Sequence, residues 1–223
     1  MNLKTVYEIL LKNFGKQNWW PAETEFEVIV GAILTQQASW KNVEKAIKNL
    51  KENNFLEPQT IYSIKISQLE KLIKPSGFYR IKAKRLKNFV NFLYKKYDGD
   101  LNKLFSLEKD FLRKELLSVN GIGKETADSI ILYAANKPTF VVDAYTKRIF
   151  NRLGLIKEND YEKIKNIFEY SLPEDVELYK EYHALIVELG KNICKLKPKC
   201  KECCLSKWCN YANGVNNSDK RES

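Results

Sequence analysis

Long apolar segments are absent from this sequence. No run within its 223 residues approaches the ~20 apolar residues that a membrane-spanning helix requires. The first residues, MNLKTVYEILLKNFGKQ, carry charges through their apolar stripe and lack the layout of a signal peptide. We therefore expect a soluble, cytoplasmic protein with no membrane partner.

Strand patterns are absent as well. No stretch alternates apolar and polar residues between hairpin turns, and no unit of ~20–50 residues repeats. Apolar residues instead recur at helical spacing, which predicts an all-α fold. The predicted helices lie around residues 3–14, 26–33, 43–50, 83–97, 127–134, 161–170 and 179–191. The apolar run around Phe140 is predicted to be a loop that enters a helix, and the polar tail 210–223 is predicted to be disordered.

Histidine is nearly absent. His183 is the only one in the chain, and it follows a tyrosine in a predicted helix. Such a pair is more often found at the surface or in packing than in catalysis. The sequence therefore assigns His183 no catalytic role.

Positive charge exceeds negative charge. The chain has 38 Lys and Arg residues against 28 Asp and Glu residues, a net charge of +10. A basic balance favours a polyanionic partner, although Lys-rich composition is also a general signal of thermophilic proteins. One basic cluster is either a solvated helix face or a set of phosphate contacts; it comprises Arg80, Lys82, Lys84, Arg85 and Lys87.

The most informative segment is residues 116–154, LLSVNGIGKETADSIILYAANKPTFVVDAYTKRIFNRLG. Its tight turn Asn120-Gly121-Ile122-Gly123 opens a predicted helix that begins with Lys124. Glycines let the main chain approach an anion closely, and the free N–H groups of a first helical turn favour phosphate. Asp143 follows the apolar run 140–142, where a carboxylate suits electrostatic or acid–base catalysis. The alternative role for Asp143 is that of a helix N-cap.

Cysteines occur only near the C-terminal end. The five are Cys194, Cys200, Cys203, Cys204 and Cys209. Four of them, spaced C-x5-C-x2-C-x5-C, can fold around one centre, which favours metal over disulfides in a reducing compartment. Four-cysteine sites hold zinc or an iron–sulfur cluster, and the spacing alone leaves both open.

These segments resemble the helix-hairpin-helix DNA glycosylases of the endonuclease III superfamily. The family hairpin reads roughly Leu-Pro-Gly-Val-Gly-Arg-Lys-Thr-Ala, which Gly121, Gly123, Thr126 and Ala127 match. Asp143 matches the family's catalytic Asp. The resemblance implies two helical lobes with DNA between them: a barrel lobe, residues 18–136, and a cluster lobe, residues 1–17 with 137–209.

The resemblance also implies a [4Fe–4S] cluster. The family holds it in a C-x6-C-x2-C-x5-C loop, one residue longer between the first two cysteines than the loop here. The implied ligands are Cys194, Cys200, Cys203 and Cys209, with Cys204 as an extra thiol. The loop is expected to present Lys195, Lys197, Lys199 and Lys201 to phosphate.

Position 125 departs from most of the family. Bifunctional members carry a nucleophilic Lys there, whereas this chain has Glu125, which cannot form a Schiff base. The 3-methyladenine DNA glycosylase III branch also has Glu at this position, an aromatic residue at the position of Trp40, and a Trp-Trp-Pro segment like Trp19-Trp20-Pro21. This chain resembles that branch most, although the branch's best-described members lack the cluster cysteines. The implied base pocket is Trp19, Trp20, Pro21, Trp40 and Glu125.

The function that the sequence predicts is monofunctional hydrolysis of the N-glycosidic bond of a damaged base, an alkylated purine, flipped out of duplex DNA. A cationic base between aromatic rings gains about 0.5–2 kcal/mol from cation–π contact. The resemblance places Gln37 near the gap left by the base. The predicted DNA contacts are Gln37, Asn120, Gly121, Ile122, Gly123, Lys124 and Thr126. We expect a nucleoid-associated monomer. The alternatives are a bifunctional glycosylase/AP lyase that uses another Lys, and a DNA-binding relative without catalysis.

Overall fold

The computed structural model describes residues 1–218. Within them the chain is helical and contains no strand, which confirms the predicted all-α class. None of the described helices is both long and apolar enough to span a bilayer. Two compact units form: a terminal unit, Met1–Trp19 with the chain from Pro138 onwards, and a central unit, Trp20–Lys137. The unit boundaries lie at 19/20 and 137/138, where the sequence suggested 17/18 and 136/137.

Thirteen α-helices lie within the described part of the chain. In order they are α1 Leu3–Phe14, α2 Glu25–Leu34, α3 Trp40–Glu52, α4 Pro58–Ser63, α5 Ile66–Leu72, α6 Tyr79–Tyr97, α7 Leu101–Phe105, α8 Lys109–Leu117, α9 Lys124–Ser129, α10 Ala144–Leu153, α11 Tyr161–Ser171, α12 Val176–Asn192 and α13 Asn210–Ser218. The π-helical turn Ile130–Ala134 continues α9. All seven helices predicted from apolar spacing are present. The sequence missed α4, α5, α7 and α8, because helices of five to nine residues give too few repeats for a periodic signal.

Stacked aromatic rings form the core of the terminal unit. The ring of Phe140 stacks on that of Phe168 with centroids 4.0 Å apart. Tyr182 meets both rings edge-on, and its hydroxyl donates to the carbonyl of Leu3 at 2.7 Å. The run 140–142 is buried and has no regular structure before α10, as predicted. This buried run draws the next residue, Asp143, into apolar surroundings.

The central unit is built around α2. Every residue of this helix except Glu25 is buried, as its nearly uninterrupted apolar sequence predicts. Lys82 of α6 is only 1% exposed, and its Nζ donates to the carbonyls of Leu34 and Ser76 at 2.8 and 2.6 Å. Neither role foreseen for the basic cluster is correct for Lys82: its ammonium group satisfies the carbonyl of Leu34 at the C-terminal end of α2 and that of Ser76, which precedes α6.

The C-terminal segment corrects a second prediction. Residues 210–218 form α13 rather than a disordered tail; residues 219–223 lie outside the described residues. Ala212 is 2% exposed, and the guanidinium carbon of Arg152 lies 4.7 Å from the ring centroid of Tyr211. These two contacts anchor a segment whose composition is otherwise polar.

Candidate functional site

The predicted hairpin is a tight turn between α8 and α9. Gly121 has φ +99°, and the amide of Ile122 donates to the carbonyl of Val119 at 3.0 Å. Ile122 is buried and anchors the turn, whereas Asn120, Gly123 and Lys124 are exposed. Gly123 is the N-cap of α9 and has no side chain to accept from the first amides of that helix. With glycine at positions 121 and 123, the main chain of the turn is accessible to a close-lying anionic ligand.

Two side chains that the sequence did not select as hairpin supports hold the turn. Nε2 of Gln36 donates to the carbonyl of Gly121 at 3.1 Å and to Oγ1 of Thr126 at 2.8 Å. The guanidinium group of Arg85 donates to Oε1 of Gln36. A Cβ on Gly121 would lie 2.3 Å from Cγ of Arg85, so both crowding and backbone conformation require glycine. Thr126 is buried, and in this structure it supports the turn from inside.

A basic groove runs along α6 to the hairpin. Its lining side chains are Ile66, Ile81, Lys84, Arg85, Lys87, Asn88, Asn120 and Gly121. The side-chain Nδ2 of Asn88 donates to the carbonyl of Asn120 at 3.0 Å. Lysine and arginine side chains therefore lie beside the backbone turn that suits phosphate.

Phe78 is an exposed aromatic residue that the sequence reasoning missed. It immediately precedes α6, is 61% exposed and has φ +45°. A bulky non-glycine residue in the left-handed region carries backbone strain, and such strain concentrates at functional positions. The signal in the sequence is an aromatic residue flanked by Gly77 at the start of a basic helix.

An aromatic set lies within the central unit. The ring centroids of Trp20 and Trp40 are 5.3 Å apart at an interplanar angle of 88°, and Tyr133 lies 5.3 Å from Trp20. A Cβ on Gly31 would lie 3.0 Å from Cζ2 of Trp20, so the glycine in α2 makes room for this indole. The Trp40 indole N–H donates to Glu44 at 2.6 Å. Tyr133 was not foreseen, because it lies in the π-helical turn, which has no simple sequence signature.

The other residues predicted for the base pocket and the extruded-base gap are Trp19, Pro21, Glu125 and Gln37, and three of them are exposed. Trp19 belongs to the terminal unit. Pro21 is exposed, as is Glu125 in the first turn of α9. Gln37 is exposed and has φ +54°. The structure thus brings together Trp20 and Trp40 from the predicted pocket and adds Tyr133 to them.

Asp143 is the N-cap of α10. Its Oδ1 accepts from the amide of Thr146 at 2.7 Å and from the hydroxyl of the same residue at 2.8 Å. Its Oδ2 lies 3.7 Å from Nε2 of His183. Asp143 is 8% exposed and His183 is 6% exposed. Capping therefore occupies one carboxylate oxygen, and the other faces an imidazole.

The environment keeps this carboxylate ionised. Burial acts to raise the pKa of Asp143, but the neighbouring His183 and the two Thr146 donors outweigh it and lower that pKa below its ordinary value. A buried, ionised carboxylate can stabilise a positive charge that develops beside it. The sequence favoured a surface or packing position for His183, and the structure buries it: α12 directs it inward against α10. A separation of forty positions in the sequence hides its pairing with Asp143.

Four cysteines line one small cavity, and they are the four of the predicted ligand set: Cys194, Cys200, Cys203 and Cys209. Cys204 is absent from its lining. Burial raises the pKa of the Cys200 thiol, and the other three cysteines of the set raise it further. Among the described residues, no three Cys, His, Asp or Glu side chains converge on a single-ion site.

Arginines of α10 hold the cysteine loop. Nη1 of Arg152 donates to Sγ of Cys194 at 3.3 Å and to the carbonyl of Lys195 at 2.6 Å. The Cys209 thiol in turn donates to the carbonyl of Arg152 at 3.3 Å. Nε of Arg148 donates to the carbonyl of Cys194 at 2.9 Å. One helix thus begins at Asp143 and is fastened to both ends of the cysteine loop.

Proteins similar in sequence are DNA repair enzymes by name. A protein of Methanocaldococcus jannaschii, provisionally named a DNA repair glycosylase, is 56% identical over 207 residues, which cover 92% of this chain and 94% of that protein. Endonuclease III of Thermotoga maritima is 36% identical over 204 residues, covering 91% and 89% of the two chains.

Solved structures share the fold. The 3-methyladenine DNA glycosylase of H. pylori bound to 1,N6-ethenoadenine has a TM-score of 0.76 and 30% identity, covering 86% of this chain and 98% of that one. An endonuclease III in a non-covalent complex with DNA has a TM-score of 0.83 and 24% identity, with 96% of each chain covered, and shows the fold alone. Residues 30–174 match the HhH-GPD superfamily of base excision DNA repair proteins. With the hairpin, the buried carboxylate and the four-cysteine loop in place, the chain belongs to this superfamily, as the resemblance in its sequence predicted.

Proposed function

We propose that this protein is a monofunctional DNA N-glycosylase that acts as a monomer and removes alkylated purines from duplex DNA. The observation that carries the proposal is the Asp143 carboxylate, buried yet held ionised at the start of α10. Glu125 supports the monofunctional part, because a carboxylate at this position supplies no amine for a Schiff base. Membership of the superfamily supports the assignment as a DNA glycosylase. The identity of the lesion and the absence of lyase activity are the further parts of this proposal.

Asp143 supplies the electrostatic part of the reaction. As the bond between C1′ and the base nitrogen breaks, its electrons leave with the base and positive charge builds on the sugar. The carboxylate stabilises that charge, and water attacks C1′ and loses a proton. An N-alkylated purine is already cationic in the nucleotide and leaves as a neutral base. This leaving group therefore needs no general acid.

The aromatic set suits such a base. Trp20, Trp40 and Tyr133 offer ring faces and edges in the central unit. A cationic purine gains a cation–π attraction from such rings that an ordinary adenine lacks. The H. pylori relative, which is bound to a purine with an added ring, supports a purine lesion.

The hairpin and the α6 groove suit the phosphates of duplex DNA. Backbone amides and Lys or Arg side chains contact phosphate without reading sequence. Phe78, exposed and strained beside this basic face, is proposed to contact bases exposed by extrusion of the lesion, since base stacking requires an accessible ring.

We further propose that the four facing cysteines hold a [4Fe–4S] cluster. Four thiolates form a donor set that suits zinc or an iron–sulfur cluster. The membership of the chain in the superfamily and the resemblance of its loop to that of endonuclease III support the cluster. When bound, the cluster would cross-link the loop between Cys194 and Cys209. No step of the proposed hydrolysis requires its redox chemistry.

The test is base release from duplexes that each carry one lesion. The panel contains 3-methyladenine, 7-methylguanine, ethenoadenine, hypoxanthine, uracil and thymine glycol. We expect release of alkylated purines, strand scission only after alkali, and no adduct trapped by borohydride. Asp143→Asn serves as the inactive control. Release of thymine glycol with efficient borohydride trapping would instead support the lyase, and release of no base from any duplex would support a silent DNA-binding relative.

A further inference from the structure

We propose that His183 is a positioning residue that acts through Asp143, and this proposal rests on the catalytic role proposed for Asp143. The two side chains come from different helices, α10 and α12, and both are buried. Nε2 of His183 lies 3.7 Å from Oδ2 of Asp143. No motif assigns His183 a role, and its sequence context favoured simple packing.

Capping alone does not account for the geometry at Asp143. An N-cap needs one side-chain oxygen that accepts from an amide in the first helical turn. Here Thr146 donates to Oδ1 with both its amide and its hydroxyl. Oδ2 takes no part in capping, and it is the oxygen that His183 approaches. The carboxylate is thus held from two sides, by its own helix and by α12.

The spacing of the two helices is fixed by contacts away from the pair. A Cβ on Gly190 of α12 would lie 2.4 Å from Cδ1 of Tyr145 of α10, so the helices approach closely at this point. Nη2 of Arg148 donates to the carbonyl of Gly190 at 3.1 Å. Since these contacts set the separation of α10 and α12, they also set the distance between Asp143 and His183.

His183 is fixed in rotation as well. Tyr182, the preceding residue, is fully buried, and its hydroxyl is bound to the carbonyl of Leu3. The next side chain of a helix projects about 100° further around the axis. With Tyr182 held in the core, this rotation directs His183 toward the start of α10. The imidazole is therefore a pre-placed polar neighbour for Oδ2, the carboxylate oxygen that does not take part in capping.

An interaction of this kind orients the carboxylate and favours its charged form in a dry environment. His183 need not touch the substrate to do this. Its removal should lower the rate of bond cleavage and leave DNA affinity unchanged, because the phosphate-binding groups proposed above lie on other residues. A purely structural role would instead lower stability and leave the rate per folded molecule unchanged.

The experiment is a double-mutant cycle on single-turnover base release from a 3-methyladenine duplex. The variants are His183→Met, His183→Gln, Asp143→Asn and His183→Met with Asp143→Asn. Met has similar length and no N–H donor, whereas Gln keeps a donor near the position of Nε2. We expect His183→Met to lose about 10–100-fold in rate, His183→Gln to keep most of it, and His183→Met to have no further effect in the Asp143→Asn background.

Three results would overturn the proposal: a wild-type rate in His183→Met, an equal loss with and without Asp143→Asn, or an equal loss in the Met and Gln variants. A second measurement needs no substrate. The 13C carboxyl signal of Asp143, assigned by its absence in Asp143→Asn, should titrate at higher pH in His183→Met. The reason is that the neighbouring His183 lowers the pKa of Asp143, so its removal should raise that pKa.

The NMR measurement separates this proposal from the proposed function. If wild type releases no base from any lesion but the Asp143 titration shifts in His183→Met, then the pairing is correct and the proposed reaction is wrong. If the titration does not move, then the pairing itself is wrong. His183→Leu, which likewise lacks a donor, provides the same readout should the Met variant fail to fold.

Discussion

Two side chains keep charge where water is largely excluded. Asp143 does so at the start of α10 with donors from Thr146 and a neighbouring imidazole. Lys82 does so inside the central unit with two carbonyl acceptors. Buried charges are retained only where such partners exist. The partners of the two residues differ in kind. The ammonium group of Lys82 donates to backbone carbonyls, whereas the carboxylate of Asp143 also faces an ionisable side chain.

Asp143→Asn should lower the rate of base release by about 10²–10³-fold, because one electrostatic contact to the developing charge is lost. Asn is itself a good N-cap, so α10 should remain intact. Affinity for a duplex with an abasic-site analogue should stay the same or rise, since a negative charge is removed. Single-turnover kinetics and fluorescence anisotropy measure the two quantities.

The matched control for this variant is Asp175→Asn. Asp175 caps α12 in the same way, through the amide of Leu178 at 2.7 Å, and is exposed. Its replacement should leave the rate unchanged. An equal loss of rate in both variants would mean that capping, and not charge at Asp143, is what matters.

Lys82 should make stability depend on pH. Burial lowers its pKa from 10.5 to about 8 in the folded protein. Between those values the unfolded chain binds more protons than the folded one, so the free energy of unfolding should rise with pH through this window. Lys82→Met should lack the rise. Urea unfolding from about pH 8 to pH 10 tests this; the upper limit avoids Tyr97, whose pKa is raised to about 12 and which acts in the opposite sense. Equal slopes in the two proteins would contradict the prediction.

Among the secondary-structure elements, the hairpin and α10 are the two that position functional groups. The hairpin is held from behind by Gln36 and Arg85. Helix α10 is held along its length, by the Asp143 cap at one end and by two arginines that bind the cysteine loop. Both elements therefore owe their geometry to contacts between residues distant in sequence.

Gly121→Ala should reduce affinity for any duplex, because the added Cβ would meet Arg85 and φ +99° is unfavourable for alanine. The backbone turn would then shift. Gly123→Ala is the control for stability: its Cβ would have no neighbour within 4 Å, so the thermal midpoint should stay near that of wild type. Anisotropy with undamaged and abasic duplexes measures affinity. Wild-type affinity of Gly121→Ala for both duplexes would show that the hairpin is not the anchor.

Cys200→Ser should abolish the broad visible absorption expected of a [4Fe–4S] protein, whereas Cys204→Ser should retain it. Cys200 lines the shared cavity and Cys204 does not. Protein purified without oxygen is compared by absorption spectrum and by iron content per chain. Colourless wild-type protein containing zinc, or loss of iron in the Cys204 variant, would contradict the assignment.

Local pattern predicted most of the longer helices but not their contacts. The apolar sequence of α2 predicts a buried helix because such a segment can only be buried. By contrast, the sequence around His183 is the same whether the imidazole meets solvent or another helix. The same holds for Lys82, which looks like the other cations of α6. What decides each case is the partner helix, and periodicity does not identify partners.

The residues of the candidate site also fall into two groups: those that the sequence identifies and those that only the folded structure reveals. The hairpin, Asp143 and the cysteine set are recognisable because spacing along the chain carries their chemistry. Tyr133 and Gln36 are not, because they act through contacts made only after folding. Residues that support a functional group from behind are thus the ones that sequence reasoning misses.

On the scale of the whole molecule, the net charge of +10 has a definite distribution. The central unit presents its cations along the α6 groove. The terminal unit exposes four lysines in the cysteine loop, Lys195, Lys197, Lys199 and Lys201. Each unit therefore has its own surface that suits phosphate.

Affinity for undamaged duplex should fall steeply with salt, by about 10³-fold between about 50 and 200 mM if some six phosphates are neutralised. Lys197→Ala should reduce the slope of log K against log salt by about one. Lys48→Ala is the control, because Lys48 pairs with Glu52 on α3 at 3.7 Å and should leave the slope unchanged. A salt-independent affinity would exclude the proposed phosphate contacts.

The discontinuity of the terminal unit has a consequence for biosynthesis. Helix α1 leaves the ribosome early, but the Tyr182 hydroxyl that binds the Leu3 carbonyl is made some 180 residues later. At about 5–20 residues per second, α1 waits roughly 10–35 s for α12. The central unit, continuous from Trp20 to Lys137, has all its own contacts long before then. A nascent chain should therefore carry a finished central unit beside an N-terminal helix whose apolar stripe, Leu3, Val6 and Leu10, is still uncovered, which makes that helix the natural site for a chaperone or a protease to act during translation.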